Sequence, residues 1–280
     1  MLTLLITILF SYLFQLFMRI SSDKISKNMS LLTVNYVICA LISACYTGLG
    51  NLFPVHEEGF IAAVGVGFGQ GLMYLLAFIL LQINISRNGM VLSTSCMKLG
   101  LLVPMAISVV VFGEKPGIVH IVGFILALIS IVLINYEPKG AANATFKSGL
   151  VILLLTAGLG DAMAKFYEEW GTPALGSHFL FYTFVAAALI SIGILIFRKE
   201  VPGKAEIFYG ILVGVPNYFV CRFVLKSLEI LDAVIVYPCY NVATIFLATL
   251  TGLIFFKERL KKRQWVAICT IIVALVLLNL

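Results

Sequence analysis

The chain has 280 residues, 61% of them hydrophobic and only 11% charged, with a formal net charge of +6. That balance excludes a water-soluble domain, in which about a quarter of the residues are charged. The positive charge does not form a nucleic-acid face, because the lysines and arginines fall mostly in short connections between apolar runs.

A bilayer core about 30 Å thick takes roughly 20 apolar residues per helical crossing, and only helices or closed barrels satisfy their backbone groups there. The apolar runs are too long for barrel strands of about ten alternating residues. In chain order the predicted crossings are 1–20, 31–50, 60–82, 90–112, 117–136, 149–168, 175–197, 207–227, 233–256 and 264–279. The first lacks the basic leader and small-residue cleavage site of a signal peptide and is expected to remain a helix. In the third, Gly65, Gly67, Gly69 and Gly71 alternate. No strand precedes them, so a phosphate loop is excluded and close helix approach is expected. Pro104, Pro216 and Pro238 predict kinks in the fourth, eighth and ninth crossings. The longest polar gap, Glu137 to Ser148, carries Pro138-Lys139-Gly140 and divides the sequence into repeats 1–137 and 148–280.

Cys39, Cys45, Cys96, Cys221, Cys239 and Cys269 all lie in apolar segments and read as buried small hydrophobes, not disulfides or metal ligands. The three histidines form no ligand set. No metal or organic cofactor is expected. Asn28-Met29-Ser30 and Asn143-Ala144-Thr145 are formal glycosylation sequons of a kind common by chance.

The sequence repeats. At an offset of 144 residues Phe112-Gly113-Glu114 falls on Phe256-Lys257-Glu258, Tyr74 on Tyr218, Leu81 on Leu225, and Val132-Leu133-Ile134-Asn135 on Val276-Leu277-Leu278-Asn279. At 146, Gln15 and Arg19 fall on Asp161 and Lys165. Five crossings per half is an odd number, so the second half enters from the opposite face. The expected fold is an all-α membrane protein with ten transmembrane helices in two inverted five-helix repeats, an arrangement that commonly places a binding site between the halves.

This pattern, with an acidic residue after the fourth helix of each half (Phe112-Gly113-Glu114-Lys115 and Phe256-Lys257-Glu258-Arg259), resembles the drug/metabolite transporter superfamily, EamA type. The resemblance covers essentially the whole chain. It implies a carrier of small organic solutes whose cavity is lined by the first, third and fourth helices of each half. Glu114 and Glu258 each precede a helix start, where a carboxylate favours the positive end of the dipole, so capping is expected of them.

Ionisable residues inside the crossings are informative, because each costs a few kcal/mol at the bilayer centre unless it is paired or faces water. Lys98 lies near the middle of the fourth helix, Asp161 deep in the sixth and Arg222 in the eighth. Asp161 can pair with Lys165 one turn on, or face a cavity. Polar side chains align at helical spacing: Gln70 and Tyr74; Tyr218, Arg222 and Lys226, with Asn217 beside them; and Tyr237, Asn241 and Thr244. The expected substrate-binding set is Gln15, Gln70, Tyr74, Lys98, Asp161, Asn217, Tyr218, Arg222, Tyr237 and Asn241, with no catalytic residue. Gly158-Leu159-Gly160-Asp161 matches an intramembrane aspartyl protease motif, but that chemistry needs a second intramembrane carboxylate, and Asp23 and Asp232 belong to connections.

The expected function is secondary transport of an anionic or zwitterionic, amino-acid-like metabolite by alternating access in the plasma (inner) membrane, with Asp161 the candidate proton carrier. The alternative is transport of organic or quaternary ammonium cations; a protease or a non-transporting scaffold is more remote. Expected partners are a small-molecule solute and the lipid bilayer, without nucleic acid, and a homodimer is left open. Basic residues from Arg19, Lys24 and Lys27 to Lys262 and Arg263 crowd the face reached after odd-numbered crossings, which places both termini outside. The usual family pattern has a basic connection between the second and third helices and cytoplasmic termini; here Gly50 to Gly59 holds no Lys or Arg.

Overall fold

The structure, a computed structural model, describes residues 2–22, 24–135, 146–254 and 262–280. Asp23, the Pro138-Lys139-Gly140 linker, the Asn143 sequon and the Phe256-Lys257-Glu258 segment lie outside them. The described helices are α1 (Leu2–Ser22), α2 (Asn28–Thr47), α3 (Phe60–Asn88), α4 (Met90–Lys98), α5 (Leu102–Val110), α6 (Ile118–Asn135), α7 (Lys147–Trp170), α8 (Gly176–Arg198), α9 (Lys204–Leu228), α10 (Ala233–Ile254) and α11 (Lys262–Leu278). Among the described residues eight spans are long and apolar enough to cross a bilayer, α4 and α5 together forming one of them, Leu92–Val110. The helices α6 and α11, with 18 and 17 residues, rise about 27 and 26 Å. These are the ten expected crossings.

The fourth crossing departs from the expected continuous helix. It is interrupted at Lys98 by a 3-10 turn over Leu99–Leu101 before α5 resumes. Pro104 has no N–H for the carbonyl of Gly100, one turn back, so the α-helical ladder loses a bond there. The break therefore falls immediately after a charged residue in the middle of a span.

The helices form two packing units, each drawing on both sequence repeats: residues 1–75 with 163–229, and 76–162 with 230–280. In the first, α2 runs along α8, and α9 packs on α1 and α2. Gly67 and Gly71 face the α8 backbone so closely that an added Cβ at Gly71 would collide with the carbonyl of Thr183, whereas Gly65 has open space. The spacing that matters is thus i,i+4 along one helix face, not the alternation seen in the sequence. In the second unit α6 runs along α11 and α10 packs on both, around a core that includes Leu101, Met105, Ile131, Val242, Ile245 and Ile271. The pairs α2/α8 and α6/α11 each join a helix to its repeat counterpart, as an inverted repeat requires.

Connections are fastened by polar side chains, because buried backbone groups need partners. In the first unit Glu206 accepts from the N–H groups of Gly203 (3.1 Å) and Ser26 (3.4 Å), and Lys27 donates to the Val201 carbonyl (3.1 Å). At the other end of α8, Tyr182 donates to the Leu52 carbonyl (2.7 Å), and His178 Nε2 lies 2.7 Å from the Asn51 carbonyl. In the second unit Asn84 donates to the Gly149 carbonyl (3.1 Å) and Asn88 both donates to and accepts from the Phe146 backbone.

Glu114 caps a helix, but not the one it precedes. Its carboxylate accepts from the backbone N–H groups of Ala233 (3.1 Å) and Val234 (3.4 Å), the first residues of α10. Gly113, at φ 71°, turns the chain just before it. Satisfying two of the orphan donors of a distant helix, near the positive end of its dipole, gives the carboxylate a structural role. Glu258 lies outside the described residues.

Candidate functional site

Each packing unit holds its own polar cluster. In the first, α9 supplies Asn217, Tyr218, Cys221 and Arg222, on the turns that follow Pro216. Thr183 donates to the Gln70 side-chain oxygen (3.1 Å), and Gln70 donates to the Tyr74 hydroxyl (3.1 Å), which lies 4.0 Å from Cys221 Sγ. Asn217 donates to Asn35 Oδ1 on α2 (3.1 Å). Arg222 Nη1 donates to the Tyr218 hydroxyl (3.1 Å) and Ser177 Oγ (3.4 Å), and its Cζ lies 4.1 Å from the Tyr46 ring centroid. Gln15, half-buried on α1, belongs to this unit but joins none of these hydrogen bonds.

The second unit holds Lys98, Asp161, Tyr237 and Asn241. Tyr237 donates to the Asp161 backbone carbonyl (2.7 Å), and Asn241 turns its amide back onto the Tyr237 carbonyl (3.0 Å). Tyr218 and Tyr237 are 0% and 1% exposed, so their rings are enclosed by protein. Lys98 and Asp161 are half-buried, and among the described residues neither charged group has a hydrogen-bond or ion-pair partner.

The first glycine of the protease-like motif has a packing role. Gly158 presses on the backbone of Gly100 and on Val103, and a Cβ at Gly100 would lie 3.0 Å from both Gly158 N and Leu154 O. This contact fixes α5 against α7. Lys98 precedes Gly100 by two residues and Asp161 follows Gly158 by three. As the fourth and sixth crossings run in the same sense, the two charged residues stand about 7 Å apart along the helix axes.

Several expectations change. Lys165 is paired on its C-terminal side, with Glu168 (2.7 Å) and Glu169 (2.6 Å), because two carboxylates lie on the same face at i+3 and i+4. Arg222 is not deep: six residues remain to the end of α9, about 9 Å. Only Cys39 and Cys239 are buried; Cys45 and Cys269 are exposed on apolar helix faces. The sequence reading missed Tyr46, Ser177, Asn35 and Thr183. A signal existed in α2, where Asn35, Cys39, Ser43 and Thr47 recur every fourth residue beside Tyr46.

Residues 148–280 match the EamA-like transporter family. Over this C-terminal repeat the chain is similar to EamA-like transporters, and its long apolar helices are those of a multi-pass membrane protein. An uncharacterized protein of Haemophilus influenzae (strain ATCC 51907 / DSM 11121 / KW20 / Rd) is 27% identical over 204 residues, 71% of this chain and 69% of that protein. A crystal structure of another protein superposes with a TM-score of 0.74 at 15% identity, covering 99% of this chain and 94% of that one, which establishes a shared fold.

Proposed function

We propose that the protein is a secondary transporter that moves an anionic or zwitterionic, amino-acid-like metabolite across the plasma membrane by alternating access. The observation that carries this reading is the uncommitted charge inside the spans. Lys98 and Asp161 share one packing unit, flank the Gly100/Gly158 contact, and engage neither each other nor a neighbour among the described residues. Two opposite charges offset by about 7 Å along the helix axes, and not paired with each other, suit a solute that carries both a carboxylate and an ammonium. Lys98 receives the carboxylate in this reading, and Asp161 receives the ammonium or a coupled proton. Energy comes from an ion gradient, from exchange, or from the solute's own gradient. The solute and the bilayer are the partners required, and a homodimer is compatible with the mechanism.

The test is a thermal-shift screen of the purified protein against amino acids, organic phosphates and quaternary amines, followed by uptake into proteoliposomes. Amino acids or organic acids are expected to stabilise the wild type and to lose that effect in Lys98→Gln. Stabilisation by quaternary amines alone would overturn the assignment of substrate charge.

A further inference from the structure

The guanidinium of Arg222 is fixed in orientation within one packing unit. The Nη1 nitrogen donates to the Tyr218 hydroxyl and to Ser177 Oγ, at 3.1 and 3.4 Å, which commits both of its hydrogens. The guanidinium carbon sits 4.1 Å from the centroid of Tyr46. Tyr46 in turn stacks on Tyr218, with ring centroids 5.6 Å apart and planes inclined by 22°. Tyr218 is fully buried, so the assembly has a rigid base.

What remains is the edge carrying Nε and Nη2, whose hydrogens point in parallel. Among the described residues no acceptor engages this edge, and neither nitrogen is a sealed buried atom. An arginine in a span carries a desolvation cost of a few kcal/mol unless its donors meet water or an acceptor. Two parallel N–H groups match the two oxygens of a carboxylate or phosphate, and a guanidinium already fixed by stacking loses little freedom on binding one. We infer that the Nε/Nη2 edge of Arg222, set by Tyr46, Ser177 and Tyr218, binds a carboxylate or phosphate group close to the 229–232 end of α9, as a second station for the transported solute separate from the one at Lys98. The identification of the ligand as cargo rests on the transporter reading; the oxyanion site itself does not.

Arginine modification tests this directly. Phenylglyoxal condenses with two guanidinium nitrogens, so an oxyanion seated on the edge slows its reaction. Full-length protein in nanodiscs of zwitterionic lipid is treated in the presence of acetate, L-alanine or inorganic phosphate, with chloride at matched ionic strength and tetraethylammonium as controls. Modification of Arg222 is read by peptide mass spectrometry. At least one of the three oxyanion probes is expected to slow modification about fivefold or more, a change of roughly 1 kcal/mol, and the controls to leave it unchanged. The concentration giving half-protection is expected to rise about two- to fivefold in Tyr46→Leu, which loses the ring under the cation, and to hold in Tyr46→Phe. Absence of protection by all three probes overturns the inference, and so does equal protection by chloride, which is ionic screening alone. Protection seen only after anionic phospholipid is added overturns it in favour of a lipid headgroup. If Arg222 is protected but no solute is taken up by proteoliposomes, the oxyanion site stands and the transporter reading falls. If carboxylate uptake is saturable and unchanged in Arg222→Gln, the transporter reading stands and the site falls.

Discussion

Charged side chains in this protein divide into those whose partners are supplied by the fold and those left open. Glu114 and Lys165 belong to the first group. Glu114 closes two backbone donors of α10, and Lys165, 4% exposed, is clasped by Glu168 and Glu169. Replacing Glu114 by Ala should lower stability by about 1–2 kcal/mol, as loss of a helix cap does. Glu114→Gln should lose less, because the amide oxygen still accepts while the interaction with the dipole weakens. Melting curves of the three proteins in one detergent check this ordering; equal midpoints for wild type and Glu114→Ala would contradict it. The presence of ionisable residues inside apolar spans was legible from sequence, but their partners were not. The donors that Glu114 serves lie 119 and 120 residues away. Tyr46 and Ser177 stand near helix ends, where an aromatic ring and a serine read as ordinary interfacial or capping residues.

Helix positions were legible because membrane thickness sets a minimum apolar length, and every expected crossing has its helix. Helix interruptions and crossings were not, because they depend on which neighbour each face meets. Pro104 suggested a kink in the fourth crossing, yet the turn at Leu99–Leu101 that ends α4 at Lys98 emerged only with the structure. Likewise four alternating glycines gave no indication of which pair touches α8. Gly71→Ala should destabilise by about 1–3 kcal/mol, since its Cβ meets the Thr183 carbonyl, a backbone atom that cannot swing aside. Gly65→Ala meets open space and should be neutral or stabilising by up to about 1 kcal/mol through helix propensity. Parallel thermal melts decide the point, and an equal loss in both variants would mean that helix flexibility, not packing, governs this face.

For the whole molecule, the charge distribution and the polar clusters make separate predictions. The bias of Lys and Arg toward connections after odd-numbered crossings predicts that both termini face outward and that Lys262, exposed at the start of α11, faces the cytoplasm. In a background without native cysteines, which must include the exposed Cys45 and Cys269, a Lys262→Cys variant should resist an impermeant thiol reagent applied to intact cells. Reaction from outside would reverse the orientation. The repeat symmetry was visible in the sequence, but the packing units were not, because each combines helices from both halves and no local pattern encodes that exchange. The central claim is that an anionic or zwitterionic solute is carried by charges the fold leaves open, and proteoliposome uptake with wild type, Lys98→Gln and Asp161→Asn tests it most directly. The account predicts saturable uptake of a carboxylate-bearing solute that is lost in Lys98→Gln, with any pH-driven component lost in Asp161→Asn. Saturable uptake of a quaternary amine that survives Lys98→Gln and fails in Asp161→Asn would contradict it.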